Sequence, residues 1–441
     1  MSRQLFGTDG VRGRAGEFLT AELAVALSRA TVELGDDPHP QVLIVRDTRE
    51  SGDMLEAAIA AGVTAAGGDV LLGGVLPTPA APLLVRRHSL QLAAVISASH
   101  NPYEDNGIKF FAADGFKLSD ETETAIENQM DSDARQPDRI GRVRQLHGAL
   151  EDYLRELHTR FQSLDLSGRR VLLDCANGAT YRAAPEIFRR LGADVEVIAD
   201  QPDGRNINEG VGSTHIDKLT ETMSRGRYDV GFAFDGDGDR VLAVDSEGQI
   251  VDGDELVAIA AVHLKASGYL AGGGVAVTVM TNYGFHTAME AAGIEVAITA
   301  VGDRYVNEEL RKRGWRLGGE QSGHVIDLGF GPSGDGIASA LLTLEALGGG
   351  DLCERGAMDK LPQRLVNIRA SSRGKLNAAM ETATVQQAIG AADVELAGRG
   401  RVLVRASGTE PLIRVMVEAP SLEETERVCA QLSSAVERAL G

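Results

Sequence analysis

Ser97-Ala98-Ser99-His100-Asn101-Pro102 follows directly on the apolar stretch Leu92 to Ile96. A hydroxyl on a loop at the carboxyl end of a strand lies where open α/β sheets place their ligands, exposed enough to act as a nucleophile or a phosphoryl carrier. Ser, Asn and Pro also build ordinary turns, and a lone His100 is often only a hydrogen-bonded loop residue, so both readings stand. Asp235-Gly236-Asp237-Gly238-Asp239-Arg240 closes a second apolar stretch, Val230 to Phe234. Three carboxylates at alternate positions repel one another unless they share a hard cation, and the glycines permit a turn that points the oxygens inward. EF-hand spacing is excluded, because its required Gly falls on Arg240 and its bidentate Glu on Ser246. So few carboxylates suit magnesium, with a phosphate oxygen as a further ligand, better than calcium; a solvated acidic turn is the alternative.

Two further clusters bind rather than react. In Arg405-Ala406-Ser407-Gly408-Thr409-Glu410-Pro411, followed by Arg414, the N–H groups of a Ser-Gly-Thr turn form an anion nest and two guanidiniums are placed to grip phosphate oxygens. A hairpin loop with surface arginines has the same composition. In Gly318-Gly319-Glu320-Gln321-Ser322-Gly323-His324, Glu320 and Ser322 can turn toward adjacent sugar hydroxyls, as can any polar loop.

The elements that must carry these loops follow one design three times: a β-branched strand, a helix, a Gly and a second apolar strand. The copies run through Val42 to Val45 and Val70 to Leu72, Val171 to Leu173 and Val195 to Ile198, and Val275 to Val279 and Val296 to Ile298. Strand, helix, strand in that order implies parallel pairing with a right-handed crossover. The chain is therefore expected to be α/β: three related α/β domains with mixed sheets plus a smaller C-terminal α+β domain, arranged around a central cleft. The expected domains are 1–150 with the serine loop, 151–252 with the metal loop, 253–363 with the sugar-binding loop and 364–441 with the phosphate-binding loop. Ser421 and Glu424 make a capping box ahead of Thr425, Val428, Cys429, Leu432 and Val436, which predicts a terminal amphipathic helix.

At 441 residues, 43% hydrophobic and 24% charged, the chain is a multidomain globular protein. Sixty-four acidic against forty-four basic residues give a net charge of −20, which argues against nucleic-acid binding and would repel an anionic substrate. A phosphate ligand therefore needs a local basic cluster, which the Arg405 and Arg414 region supplies. Cys175, Cys353 and Cys429 lie too far apart for a metal knuckle or a redox pair. Without a basic segment followed by an apolar one near Met1, or an apolar run of about 18 residues, the expectation is a cytoplasmic protein with no membrane partner.

FGTDGVRG at Phe6 to Gly13, SASHNP, DNGIKFF at Asp105 to Phe111, DGDGDR, GDRYV at Gly302 to Val306, GEQSGH and RASGTEPLIRV at Arg405 to Val415 together resemble the alpha-D-phosphohexomutase superfamily. The resemblance spans essentially the whole chain in the right motif order. It implies a four-domain, heart-shaped isomerase that moves a phosphoryl group between two positions of a hexosamine phosphate, supplying amino-sugar precursors for the cell wall. Ser99 would carry the phosphoryl group, and Asp235, Asp237 and Asp239 would hold one Mg2+ together with Ser99, beside Arg240. Arg12, His100 and Lys109 would line the reacting end, with Lys109 transferring the proton. Glu320, Ser322, His324, Asp303 and Arg304 would bind the sugar, and Arg405, Ser407, Gly408, Thr409 and Arg414 the phosphate that is not reacting. A sugar bisphosphate would be the intermediate or activator, and the enzyme a monomer or homodimer. The alternatives are a phosphoglucomutase/phosphomannomutase of the same superfamily, a haloacid-dehalogenase-type phosphatase, whose pattern wants Thr or Val where Asp239 stands, and a non-catalytic sugar-phosphate sensor.

Overall fold

The computed structural model describes residues 4–7, 9–132, 136–406 and 411–440. By its internal contacts the chain forms two units, Met1–Val279 with Glu295–Arg355, and Met280–Ile294 with Gly356–Gly441.

The first unit holds three mixed sheets among the described residues. In order across the sheet, the first has Val11–Arg14, Asp105–Ala112, Leu92–Ile96, Gln41–Arg46, Asp69–Val75 and Val143–Gln145. The second has Ile250–Val251, Val241–Asp245, Val230–Phe234, Arg170–Asp174 and Asp194–Ile198. The third has Glu295–Thr299, Gly274–Thr278, Leu317–Gly319 and Val325–Asp327. One four-strand pattern underlies all three. An opening strand pairs in parallel with the next strand after its crossover helix on one side, and with a third strand on the other. That third strand then turns back antiparallel. The repeats expected from the sequence are thus one topology used three times. Each turn-back carries one chemical motif: SASHNP leaves Leu92–Ile96, DGDGDR leaves Val230–Phe234, and GEQSGH leaves Leu317–Gly319.

Burial explains why these strands read as continuous apolar runs. Leu92–Ile96, Val230–Phe234 and Gly274–Thr278 are buried at every position, as parallel strands covered on both faces must be. On the first sheet, Leu55, Ile59 and Val63 of the helix Gly52–Ala65 join Leu27 of Ala21–Glu33 over Val42, Ile44 and Ile96. Each such side chain contributes about 1.5–3 kcal/mol by leaving water. No described helix is long and apolar enough to cross a membrane.

In the second unit, Gln363–Arg369, Leu412–Glu418 and Arg401–Ala406 form an antiparallel sheet with Leu412–Glu418 in the middle. Leu422–Leu440 covers it with Val428, Cys429, Leu432 and Val436, and the Ser421 hydroxyl accepts from the Glu424 N–H at its start. The helix Tyr283–Ala291 belongs to this unit although it lies between two strands of the third sheet. Buried Glu418 accepts the Tyr283 N–H at 2.8 Å and Arg401 Nε at 2.7 Å, placing a carboxylate against the positive end of that helix.

Candidate active site

Ser99 takes a left-handed backbone, φ +53°, that non-glycine residues rarely adopt, and is 1% exposed. Such a conformation costs on the order of 1–3 kcal/mol and persists only where its surroundings over-determine it. Here the Ser99 N–H donates to Ser97 Oγ at 2.9 Å, and Ser97 Oγ donates to Asp47 Oδ2 at 2.6 Å. Arg49, fully buried, spends both Nη groups on the same segment and its Nε on Asp47. Nη1 donates to the carbonyls of Pro102 and Asp105, and Nη2 to those of Ser99 and Asn101. With the loop so held, Ser99 Oγ donates to Asp235 Oδ2 at 2.6 Å and lies 3.4 Å from His100 Nδ1. Burial, with Arg240 and Arg12 nearby, pushes the His100 pKa down, which favours a neutral imidazole.

Asp235, Asp237 and Asp239 are all buried, and one oxygen from each lies within 4.8 Å of the others. The two glycines between them are required by contact. A Cβ on Gly236 would stand 2.6 Å from the Ser99 carbonyl oxygen, and one on Gly238, φ +73°, 2.4 Å from Thr180 Cγ2. Burial and the charges of Asp239 and Asp237 push the Asp235 carboxyl well above its usual range. Burial works against the charge of Asp239 too, but His324, Lys109 and Arg240 hold it low. Asp237 Oδ1 and Asp239 Oδ1 are buried without a hydrogen-bond partner among the described residues. Hard oxygens crowded together, two of them orphaned, fit a divalent cation.

Around the carboxylates runs a chain of alternating charge. Lys109 Nζ lies 3.0 Å from Asp237 Oδ2 and 3.0 Å from Asp9 Oδ2. Lys117 Nζ lies 2.5 Å from Asp9 Oδ1 and 2.5 Å from Asp303 Oδ2. His324 closes the chain, Nε2 3.7 Å from Asp303 and Nδ1 3.6 Å from Asp239. Burial opposes a charge on Lys109, Lys117 and His324, but in each case the flanking carboxylates prevail and raise the pKa. Arg12 pairs with Asp9, and the Nε atoms of Arg12 and Arg240 are buried without a hydrogen-bond partner among the described residues.

Of the expected sugar-binding residues, Glu320 is buried and accepts the Gly302 N–H through Oε1 at 3.0 Å, while Ser322 is exposed. Asp303 opens the helix Asp303–Arg313 and turns to Lys117. Arg304 turns to the helix Asp120–Met130, where it pairs with Asp120 and bonds Glu123 Oε1 at 3.0 Å, and it also donates to the Leu118 carbonyl. In the C-terminal unit Arg405 and Arg414 face each other directly across neighbouring strands, both half-buried. Like charges so placed repel. Ser407, Gly408 and Thr409 lie outside the described residues.

Asp9, Lys117, Asp47, Arg49 and Thr78, whose Oγ1 donates to Asp237 Oδ2 at 2.7 Å, escaped the sequence reading. Asp9 and Lys117 sit in or beside quoted motifs, yet only the partner in space gives them meaning.

Family signatures match the chain segment by segment. Phosphoglucomutase/phosphomannomutase alpha/beta/alpha domain I covers residues 3–137, domain II 151–248, domain III 252–361 and the C-terminal domain 365–435. A phosphoglucosamine mutase of Moorella thermoacetica is 50% identical over 440 residues, 97% of this chain and 98% of the relative. Among solved structures, a phosphoglucomutase/phosphomannomutase family protein of Burkholderia thailandensis superposes with a TM-score of 0.82 at 23% identity, over 100% of this chain and 98% of the other. N-acetylphosphoglucosamine mutase of Aspergillus fumigatus, solved with GlcNAc-6P and magnesium, gives 0.70 at 18% identity, over 99% of this chain and 96% of the other. These two share the fold; the signatures and the Moorella relative go further, and by them the chain belongs to the phosphoglucomutase/phosphomannomutase family.

Proposed function

We propose that this chain interconverts glucosamine 6-phosphate and glucosamine 1-phosphate through a phosphorylated Ser99 and a sugar bisphosphate. The observation that carries the proposal is the 2.6 Å contact between Ser99 Oγ, held in a left-handed backbone, and a buried carboxylate cluster. Relatives named phosphoglucosamine mutase at near full length support the choice of substrate.

In this mechanism the phosphoryl group on Ser99 passes to a hydroxyl of the monophosphate. The P–O bond to Ser99 breaks as the bond to the sugar oxygen forms, and the hydroxyl proton replaces the one that Lys109 gives to the departing Ser99 oxygen. The bisphosphate turns over, and its other phosphate returns to Ser99. Asp235, Asp237, Asp239 and the Ser99 oxygen would hold Mg2+, which when bound would neutralise phosphoryl charge. Lys109, kept charged by Asp237 and Asp9, is set to give a proton to a departing oxygen. Arg12, His100 and Arg240 flank the reacting group. Glu320, Ser322, His324 and Asp303 receive the sugar, with Arg304 bracing that loop. Arg405 and Arg414, with Ser407, Gly408 and Thr409, grip the phosphate that is not reacting. Enclosure keeps water from taking the phosphoryl group. The proposal includes domains at 1–150, 151–252, 253–363 and 364–441, and a cytoplasmic monomer or homodimer.

The test is interconversion of glucosamine 6-phosphate and 1-phosphate, measured beside glucose and mannose phosphates. Preferred turnover of glucosamine phosphate is expected; preference for either other sugar overturns the substrate assignment.

A further inference from the structure

The serine loop is held from two domains, and the second hold comes from Asn208. Asn208 Nδ2 lies 2.9 Å from the Ser99 carbonyl oxygen and 3.1 Å from that of Asn101, the same two carbonyls that Arg49 Nη2 bonds. An amide nitrogen has two N–H bonds, so both are used here. Asn208 is fixed in turn: it is 5% exposed, and its own N–H donates to the Ala176 carbonyl at 2.9 Å. The metal loop packs onto the same layer, since a Cβ on Gly236 would come within 2.7 Å of Asn208 Nδ2 and 2.6 Å of the Ser99 carbonyl oxygen. Asn208, serine loop and carboxylate loop are thus in contact.

We infer that Asn208 is a positioning residue for phosphoryl transfer, clamping the Ser99 and Asn101 carbonyls together with Arg49 so that the Ser99 hydroxyl stays aimed at the carboxylate cluster. Its hydrogen bonds go to main-chain carbonyls and not to the reacting oxygen. Its loss therefore belongs in the chemical step rather than in substrate affinity.

The backbone at position 208 makes a clean test available. Asn208 sits at φ +59°, a conformation glycine adopts without cost, so Asn208→Gly deletes the amide and adds no backbone strain. Asn208→Asp keeps the shape but sets a carboxylate oxygen against two carbonyl oxygens. In the full chain, Asn208→Gly is expected to lower kcat for glucosamine 6-phosphate about 10- to 100-fold with KM within about twofold, and Asn208→Asp further. Amide hydrogen exchange in a peptide spanning 97–104 is expected to be about tenfold faster in Asn208→Gly, with other segments unchanged. The kinetic arm rests on the mutase function proposed above; the exchange arm needs no substrate. If wild type fails to turn over glucosamine 6-phosphate, that function falls, and the exchange comparison still decides the clamp. Wild-type exchange in 97–104 overturns the inference, as does a rise in KM at constant kcat, which makes Asn208 a substrate contact. Faster exchange throughout the chain, with a collapsed melting temperature, also overturns it.

Discussion

The serine and carboxylate region and the arginine pair of the C-terminal sheet both concentrate charge, and they do so in opposite ways. Around Ser99 acidic and basic side chains alternate from Asp237 through Lys109, Asp9, Lys117 and Asp303 to His324 and Asp239, buried or half-buried and matched. Away from water such an arrangement is strong, and it is in place before any ligand arrives. Arg405 and Arg414 instead set like charges face to face, and Arg414 Nε is buried with no hydrogen-bond partner among the described residues. For a mutase the difference is sensible. Under the proposed function the serine loop needs fixed geometry, whereas the arginine pair would hold a phosphate and then release it when the bisphosphate turns over.

The largest effect expected is at Ser99. Ser99→Ala should abolish turnover, and intact-protein mass with peptide mapping should place the labile phosphate on Ser99 and nowhere else. The finished character of this region also makes a binding prediction. Adding a phosphoryl group beside Asp237 Oδ1 and Asp239 Oδ1 supplies negative oxygens to the cation site, so Mg2+ should bind the phosphorylated chain about tenfold or more tightly than the unphosphorylated one. Calorimetric titration of MgCl2 into both forms measures this. Equal affinities, or a phosphate mapped to another residue, would remove Ser99 from the centre of the site.

What could be read beforehand and what could not divide along the same line. That the Ser99 and Asp235 loops stand at strand ends was legible because each is a short local pattern directly after an apolar strand, and strand ends are where α/β sheets place chemistry. The threefold repeat was legible because its spacing of apolar strand, helix and Gly recurs, and the strand order proves to be the same each time. Asp47, Arg49 and Asn208 were not legible. Arg49 meets the Ser99 carbonyl 50 residues away and Asn208 meets it 109 away, and a lone Arg or Asn carries no local mark of a partner so distant. Lys117 and Asp303, 186 residues apart, became a pair only when the first and third sheets were in place. The helix Tyr283–Ala291 also misleads by position. It is a crossover by sequence, but its first turn is capped by Glu418 of the C-terminal unit.

The arginine pair should respond differently from Ser99. Arg414→Ala or Arg405→Ala removes a charge-assisted contact of about 1.5–3 kcal/mol, so KM should rise about 10- to 100-fold with kcat changed far less. Melting temperature should hold or rise slightly, because each change also relieves a like-charge pair across the strands. A fall in kcat at constant KM would break the comparison by placing these arginines within the preset machinery. An unchanged KM would remove them from phosphate binding.

The smallest effect concerns which sugar is chosen, and it asks whether a matched charge can still read a ligand. Two carboxylates stand near the proposed sugar, Asp303 and Glu320. Asp303 is matched by Lys117 at 2.5 Å; although burial opposes its charge, Lys117 and His324 hold it ionised, with that charge already answered. Glu320 accepts a main-chain N–H from Gly302 through Oε1, which leaves Oε2 to a ligand. A protonated sugar amine gains most from the carboxylate that no cation holds at ion-pair distance among the described residues, although Glu320 lies within the field of Arg240 and His324. One charge-assisted hydrogen bond of about 1.5–3 kcal/mol gives roughly a 10- to 100-fold preference for glucosamine over glucose 6-phosphate, not exclusion. Glu320→Gln should therefore cut the ratio of the two kcat/KM values about tenfold. Asp303→Asn should depress both substrates together, because it disturbs Lys117 and His324 rather than the amine, and keep the ratio within about threefold. Arg304→Ala should also preserve the ratio, since its guanidinium is spent on Asp120, Glu123 and the Leu118 carbonyl. If Asp303→Asn collapses the preference while Glu320→Gln keeps it, selection resides in the matched chain of charge, and the contrast between the two regions no longer separates geometry from recognition.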